Sequence, residues 1–100
     1  MEKVSVIIPT YNREKTIKRC VDSLLNQTVQ PDEIIVVDDG SSDSTLDIVN
    51  AMRCSIIKIY EQEHLGAQTA RNRGIIEAQS EYVCFLDSRN FLPVLYCNAH

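Results

Sequence analysis

Two adjacent carboxylates, Asp38 and Asp39, directly follow the apolar run 34–37 and precede Gly40. Neighbouring side chains on a strand point to opposite faces, so both acids can reach one ligand only if the chain turns there, and Gly40 permits a turn. Carboxylates at such a point could accept hydrogen bonds from a ligand or hold a cation. The alternative is that both aspartates serve only as turn and helix-cap residues.

The position of these acids indicates a binding edge. An uninterrupted β-branched run is typical of a strand covered on both faces in a parallel α/β sheet, where ligands bind at the carboxyl ends of the strands. At that edge we expect Pro9, Thr10 and Tyr11 after the first strand, Asp38 and Asp39 after the second, and Asp87 after the fourth. Tyr11 could stack on a ring, and an aspartate could accept a hydrogen bond from a base N–H or a ribose hydroxyl.

Apolar periodicity predicts the elements that must position these residues. Strands are predicted at residues 4–8, 33–37, 55–60 and 81–86, and helices at residues 13–27, 44–52 and 66–78. This alternation implies right-handed crossovers and an α/β fold, namely a three-layer α/β/α sandwich around a mostly parallel, Rossmann-like sheet. Pro9 is expected to end the first strand, and Asn12 to cap the first helix.

The third predicted helix carries Ala67, Ala70, Arg71 and Gly74 on its inward face. Small residues allow the helix to approach the sheet closely, and an inward guanidinium needs a carboxylate or phosphate partner. The three aspartates named above are its candidate partners, and a purely structural ion pair is the alternative reading. His64, which precedes this helix, is predicted to be a solvated loop residue and is given no role.

Composition limits the class of protein. The chain has 100 residues, which is one small domain or half of a larger one, with 44% hydrophobic and 24% charged residues. A formal net charge of -4 opposes binding to a polyanion, so nucleic acid is not expected as a partner. The four cysteines lack any C-x-x-C pairing and are predicted to be buried free thiols. Strand-like sequence from Val4 leaves no room for a signal peptide, which predicts a cytoplasmic protein.

Five segments together resemble the amino-terminal half of a family 2 glycosyltransferase of the GT-A fold. Residues 4–12 match the opening strand and loop of that family, residues 24–28 the end of its first helix, and residues 34–45 its second-strand signature. Gly66 followed by Ala-Arg-Asn-Arg-Gly at residues 70–74, and then Tyr-Val-Cys-Phe-Leu-Asp at residues 82–87, keep the order and spacing of the family. The similarity runs nearly end to end, so residues 1–100 are predicted to be a single nucleotide-sugar-binding half.

The resemblance implies a nucleotide diphosphate sugar as donor, usually of uridine, and transfer to an acceptor hydroxyl with inversion at the anomeric carbon. Pro9 and Tyr11 would border the base, Asp39 would contact the base or ribose, Arg71 would help to hold the nucleotide, and Asp87 would begin the metal-binding D-x-D motif. Asp38 would support the turn. The implied nucleotide-sugar-binding residues are Pro9, Thr10, Tyr11, Asp39, Arg71 and Asp87.

The chain departs from the family at two points. Asp87-Ser88-Arg89 stands where the family has Asp-x-Asp, so Asp87 is the one expected ligand left for the Mn²⁺ or Mg²⁺ that the family implies. The general base and the acceptor-binding region of the family lie in the half that follows. The chain is therefore predicted to be an incomplete enzyme, and no catalytic residue is assigned.

The sequence is also compatible with functions other than donor binding. The segment from Phe91 to Tyr96 is apolar, contains Pro93 and has no evident partner, which suggests packing on something beyond His100. A noncatalytic or degenerate module could assemble through this segment with another copy or another subunit, and thus form a homo-oligomer. A receiver-like domain whose paired aspartates hold magnesium is a third interpretation. A peripheral position at the inner face of a membrane is compatible with the cytoplasmic prediction.

Overall fold

The structure, a computed structural model, describes residues 3–88 together with the backbone of residues 95–99. Five strands and three helices occur in these ranges. In chain order they are β1 (Val4–Thr10), α1 (Ile17–Leu25), β2 (Glu33–Asp38), α2 (Thr45–Ala51), β3 (Ile57–Glu61), α3 (Ala67–Glu77), β4 (Tyr82–Leu86) and β5 (Leu95–Ala99). Among the described residues, no helix has the length and apolar character required to cross a bilayer.

The strands form one sheet in the order β3-β2-β1-β4-β5. Pairing is parallel throughout the first four strands, and β5 runs antiparallel to β4. The parallel part places the carboxyl ends of β1, β2 and β4 at one edge, as required for a ligand site. The predicted α/β class and mostly parallel sheet are confirmed.

Alternating side chains of the sheet build two cores. On one face, Val6 and Ile8 pack with the buried residues of α1 and α2, whereas Ile7 points to the other face, towards Ala70 of α3. All six residues of β2 are buried, because helices cover the sheet on both sides. The helices therefore lie in two layers around the sheet, which is the predicted three-layer sandwich.

Helix α1 starts later than predicted, at Ile17 instead of residue 13. Residues 13–16 form a turn in which the backbone N–H groups of Thr16 and Ile17 both donate to the Arg13 carbonyl. Asn12 does not cap the helix. It takes a left-handed conformation with φ of 51°, and its side-chain oxygen accepts a hydrogen bond of 2.8 Å from the Ser42 N–H. Asn12 therefore bonds to a loop 30 residues away in sequence and not to the first turn of α1.

Pro9 lies within β1 and does not end it, contrary to the sequence prediction. β1 pairs with β2 as far as Thr10, whereas its pairing with β4 ends at Ile7. At Pro9 the strand therefore has a neighbour on one side only, and a residue without an N–H donor is tolerated there.

The carboxyl-terminal segment also differs from expectation. Residues 95–99 form β5, which pairs with β4 along its whole length, so this part of the segment has a partner inside the chain. Phe91 and Pro93 lie outside the described residues.

The prediction of four free thiols is wrong for Cys84, which is disulfide-bonded, whereas Cys20 and Cys54 are free. Cys97 stands directly opposite Cys84 in the β4–β5 register, a pairing that local patterns could not indicate.

Candidate functional site

A cavity of about 450 Å³ opens at the carboxyl edge of the sheet. Its volume is within the usual range for small-molecule sites. The sequence-predicted residues that line it come from the ends of β1, β2 and β4 and from α3. They are Pro9, Thr10, Tyr11, Asp39, Arg71 and Asp87, the complete predicted set.

Asp39 anchors one wall of this cavity from a buried position, with 3% of its surface exposed. One carboxylate oxygen accepts hydrogen bonds of 2.8 Å from both the Leu65 N–H and the Gln62 side-chain amide, and the Gly66 N–H lies 3.1 Å from the other oxygen. Burial alone would raise the pKa of Asp39, but these hydrogen bonds together with the nearby His64 hold its pKa below the usual value. Asp39 is thus an anionic acceptor at neutral pH.

Asp38 has the separate role that the sequence suggested. Its two carboxylate oxygens accept hydrogen bonds from the Ser41 N–H at 2.9 Å and the Ser41 hydroxyl at 2.6 Å. Gly40 makes the turn between them with a φ of 79°, in the left-handed region. Asp38 therefore stabilises the turn, and Asp39 is the acid that lines the cavity.

Tyr11 and His64 form a stacked pair at the mouth of the cavity. Their ring centroids are 4.2 Å apart at an interplanar angle of 25°, and His64 Nδ1 lies 3.0 Å from a carboxylate oxygen of Asp39. The side chain of His64 is 62% exposed, in agreement with a solvated loop residue, yet it contacts two predicted site residues. Sequence reasoning missed these contacts because no local pattern shows that residues 62–66 fold back onto the end of β2.

Arg71 faces the cavity from α3 and is half-buried. Among the described residues, its guanidinium forms no ion pair with Asp38, Asp39 or Asp87, so the expected internal partner is absent. Two of these candidates are engaged elsewhere, because Asp38 binds the turn and Asp39 binds the 62–66 loop. Arg13, which the sequence analysis did not single out, adds a second guanidinium to the cavity lining.

The end of β4 is tied to β1. The buried Ser88 hydroxyl donates to the Pro9 carbonyl at 3.1 Å, and the Thr16 hydroxyl donates to the Ser88 carbonyl at 2.6 Å. These bonds place the half-buried Asp87 beside the loop after β1, where it lines the cavity. Arg89 lies outside the described residues. In the described part of the chain, no group of three or more potential metal-binding side chains occurs.

The cavity combines an aromatic ring, fixed carboxylates and two guanidinium groups within one small volume. An aromatic face and a carboxylate acceptor suit a planar heterocycle with N–H groups, and arginines suit phosphate oxygens. The arrangement can therefore hold a nucleotide with its diphosphate turned towards the cations.

Comparison with known proteins agrees with this chemistry. A cholesterol galactosyltransferase of Borreliella burgdorferi is 40% identical over 97% of this chain, which covers 29% of that protein. The crystal structure of Staphylococcus aureus TarS 1-349 with UDP-GlcNAc superposes with a TM-score of 0.79 and 41% identity, over 86% of this chain and 26% of the TarS 1-349 chain. A mannosyltransferase from Pyrobaculum calidifontis, solved with GDP-Man and Mn²⁺, has a TM-score of 0.79 at 29% identity, with coverage of 87% and 27%.

The chain thus spans about a third or less of the length of each of these relatives. The model of the Glycosyl transferase family 2 matches residues 5–91, which is almost the whole of this chain. That match includes the strand ends that build the cavity. The chain belongs to glycosyl transferase family 2.

Proposed function

We propose that this chain binds the donor of an inverting glycosyltransferase, a nucleotide diphosphate sugar, with a uridine diphosphate sugar as the first choice. The observation that carries the proposal is that all six predicted residues line the same cavity. The relatives solved with UDP-GlcNAc and with GDP-Man support the donor class. We also propose that the protein is cytoplasmic, as the sequence predicts.

The base would lie between Pro9, Tyr11 and Asp39. Tyr11 offers an aromatic face, and stacking on it does not distinguish one base from another. Asp39 is an acceptor only, so it favours a base edge or ribose that presents a donor. Uracil and guanine both carry a ring N–H, and therefore the choice of uridine rests on the relatives and not on Asp39 alone.

The diphosphate would meet Arg71 and Arg13. Arg71 lines the cavity and forms no ion pair with another described residue, so we expect its guanidinium to meet a phosphate oxygen. Hydrogen bonds between a guanidinium and phosphate are among the stronger polar contacts in proteins, at about 1.5–3 kcal/mol each. We expect Arg71 to contribute to diphosphate binding and little to base binding.

A divalent cation would fit this site only with the nucleotide present. Asp87 supplies one carboxylate, and Mg²⁺ commonly uses one or two carboxylates together with substrate phosphates. Among the described residues that line the cavity, the other carboxylate is that of Asp39, which the 62–66 loop engages. When bound, the cation would neutralise diphosphate charge. The protein alone should therefore bind Mn²⁺ weakly, and UDP should increase that affinity.

Sugar transfer needs an acceptor surface and a general base that removes the acceptor proton while the diphosphate leaves. We assign neither to a described residue of this chain. The proposed function of these 100 residues is therefore donor binding, and the acceptor is left unassigned. A receiver-like phosphoacceptor function is disfavoured, because Asp38 binds the turn and does not face the cavity together with Asp39.

Titration calorimetry tests the proposal with UDP, uridine and GDP against the wild type, Arg71→Ala and Lys18→Ala. Lys18 is exposed on α1 and pairs with Asp22, outside the cavity, so Lys18→Ala is the matched loss of a cation. Loss of Arg71 should weaken UDP binding about 10- to 100-fold while uridine binding changes little. A folded wild-type chain that binds none of these ligands would exclude the proposed function.

A further inference from the structure

Residues 62–66 surround the Asp39 carboxylate in the ligand-free chain. One carboxylate oxygen accepts from Gln62, Leu65 and Gly66, and the other faces the Gly66 N–H at 3.1 Å and His64 Nδ1 at 3.0 Å. The hydrogen bond of His64 Nδ1 goes to the Asp39 carbonyl oxygen at 3.2 Å, and the imidazole lies against the second carboxylate oxygen, which a base N–H would have to approach. Under the proposed function, the group that covers this oxygen must therefore move aside.

His64 is the partner that can leave most easily. The Leu65 and Gly66 donors are backbone N–H groups, whose movement would require the loop itself to move. The His64 side chain is 62% exposed, so a rotation about its side-chain bonds takes the ring into solvent without opening the core.

The position of the imidazole reproduces both contacts expected of a base. Its plane stacks on Tyr11 with centroids 4.2 Å apart, and Nδ1 lies 3.0 Å from the Asp39 carboxylate and 3.2 Å from the Asp39 carbonyl oxygen. Both neighbours of Nδ1 are acceptors, so Nδ1 carries the proton. The imidazole is a flat ring that stacks on the tyrosine and holds an N–H within 3.0 Å of the aspartate carboxylate, and a pyrimidine or purine would occupy the same space.

We propose that His64 occupies the base subsite in the ligand-free chain and competes with the incoming nucleobase for Tyr11 and Asp39. This inference rests on the proposed function. His64 then sets the affinity of the site, because only chains in which the ring has moved away can bind, and apparent affinity falls in proportion to that fraction. It also favours ligands that can replace both of its contacts, which means a planar base with an N–H and not a sugar phosphate alone.

The direction in which substitution of His64 changes the affinity for UDP distinguishes competition with the base from support of the base. If His64 held Tyr11 in place for the base, its removal would weaken nucleotide binding. If His64 competes with the base, its removal should tighten it. One stacking contact and one contact with the Asp39 carboxylate are released, and we expect His64→Ala to bind UDP roughly tenfold more tightly. His64→Phe keeps the stacking ring but lacks the N–H, and should fall between wild type and His64→Ala.

The experiment is titration calorimetry with UDP on wild type, His64→Ala, His64→Phe and His100→Asn. His100 is the second of the two histidines and is the matched control, whose substitution should leave UDP affinity unchanged. Tighter binding by His64→Ala supports the competition. Equal or weaker binding by that variant, with a wild type that binds UDP, overturns it while the proposed function stands. Failure of both chains to bind UDP overturns both.

A second measurement needs no substitution in the loop and covers the case in which His64→Ala does not fold. Proton NMR of the His64 ring, assigned by comparison with His100→Asn, should show ring-current shifts from Tyr11 in the free chain. UDP should move these signals towards the values of a solvated histidine. His64 signals that stay in place while UDP binds would overturn the competition.

Discussion

Gly74 of α3 packs directly on Ile7 of β1, and a methyl group at Gly74 would overlap Cγ2 of Ile7 and lie 3.0 Å from its Cγ1. Ile7 is fully buried, and its branched side chain has little freedom to rotate away. This close approach brings α3 onto the sheet. It thereby helps to place Arg71, one turn earlier on the same helix, at the edge of the cavity.

Gly74→Ala should therefore destabilise the chain. Overpacking of a core costs about 1–3 kcal/mol, and the better helix propensity of alanine offsets up to about 1 kcal/mol of it. We expect a net loss of about 1–2 kcal/mol in the free energy of unfolding, measured by urea denaturation.

The same substitution in an Ile7→Ala background is the control. Ile7→Ala removes the atoms that Gly74→Ala would meet, so the second substitution should be neutral or slightly stabilising there. Equal destabilisation in both backgrounds would show that the loss does not come from the contact with Ile7.

Glu33 makes stability depend on acid pH. This buried carboxylate accepts hydrogen bonds from the Ser5 hydroxyl at 2.6 Å, the Lys58 ammonium at 2.9 Å and the Gln79 N–H at 2.8 Å. Burial alone would raise the pKa of Glu33, but these bonds hold its pKa below the ordinary value of 4.5. Its contribution to stability is present above pH 4.5 and is lost as the pH falls through that value to the lower pKa of the folded state.

Glu33→Gln should lower the free energy of unfolding by about 1–3 kcal/mol near neutral pH, because charge-assisted bonds are lost. The difference from wild type should shrink as the pH falls below 4.5. Urea unfolding at a series of pH values measures this, and Glu81→Gln, at an exposed position, is the matched control. A difference that stays constant down to the acid limit would contradict the assignment to Glu33.

Arg89→Asp should increase the affinity for Mn²⁺ in the presence of UDP. The substitution converts Asp87-Ser88-Arg89 into the Asp-x-Asp pattern that the resemblance implies, replacing a cation by a potential ligand. We expect a gain of about tenfold or more, because removal of charge repulsion and addition of a carboxylate act in the same direction. Electron paramagnetic resonance titration of Mn²⁺ measures the free ion.

Arg89→Ala separates the two contributions, since it removes the positive charge without adding a ligand. It should give a smaller gain than Arg89→Asp. If the two variants bind Mn²⁺ equally in the presence of UDP, the second carboxylate is not a ligand at this site, and the change in charge alone accounts for any gain.

The amino-acid sequence by itself determined the layers of the fold and the edge that carries the cavity. Apolar runs report burial on one or both faces, so the β-branched run of β2 and the helical spacing of Ile17, Cys20, Val21 and Leu24 predict their elements from local information. A parallel sheet places the carboxyl ends of its strands together, which is why the sequence alone predicts that Tyr11, Asp39 and Asp87 lie at one edge.

Only the tertiary structure decided which groups pair within that edge. Asp39 binds donors 23–27 residues away, and Asn12 bonds to Ser42 instead of capping α1. Arg71 faces the cavity and forms no ion pair with another residue of the described part of the chain. The sequence also did not predict the antiparallel strand β5 or the contacts of His64. Such contacts depend on where loops close over long sequence separations, and periodicity reports burial but not the partner that a polar group finds.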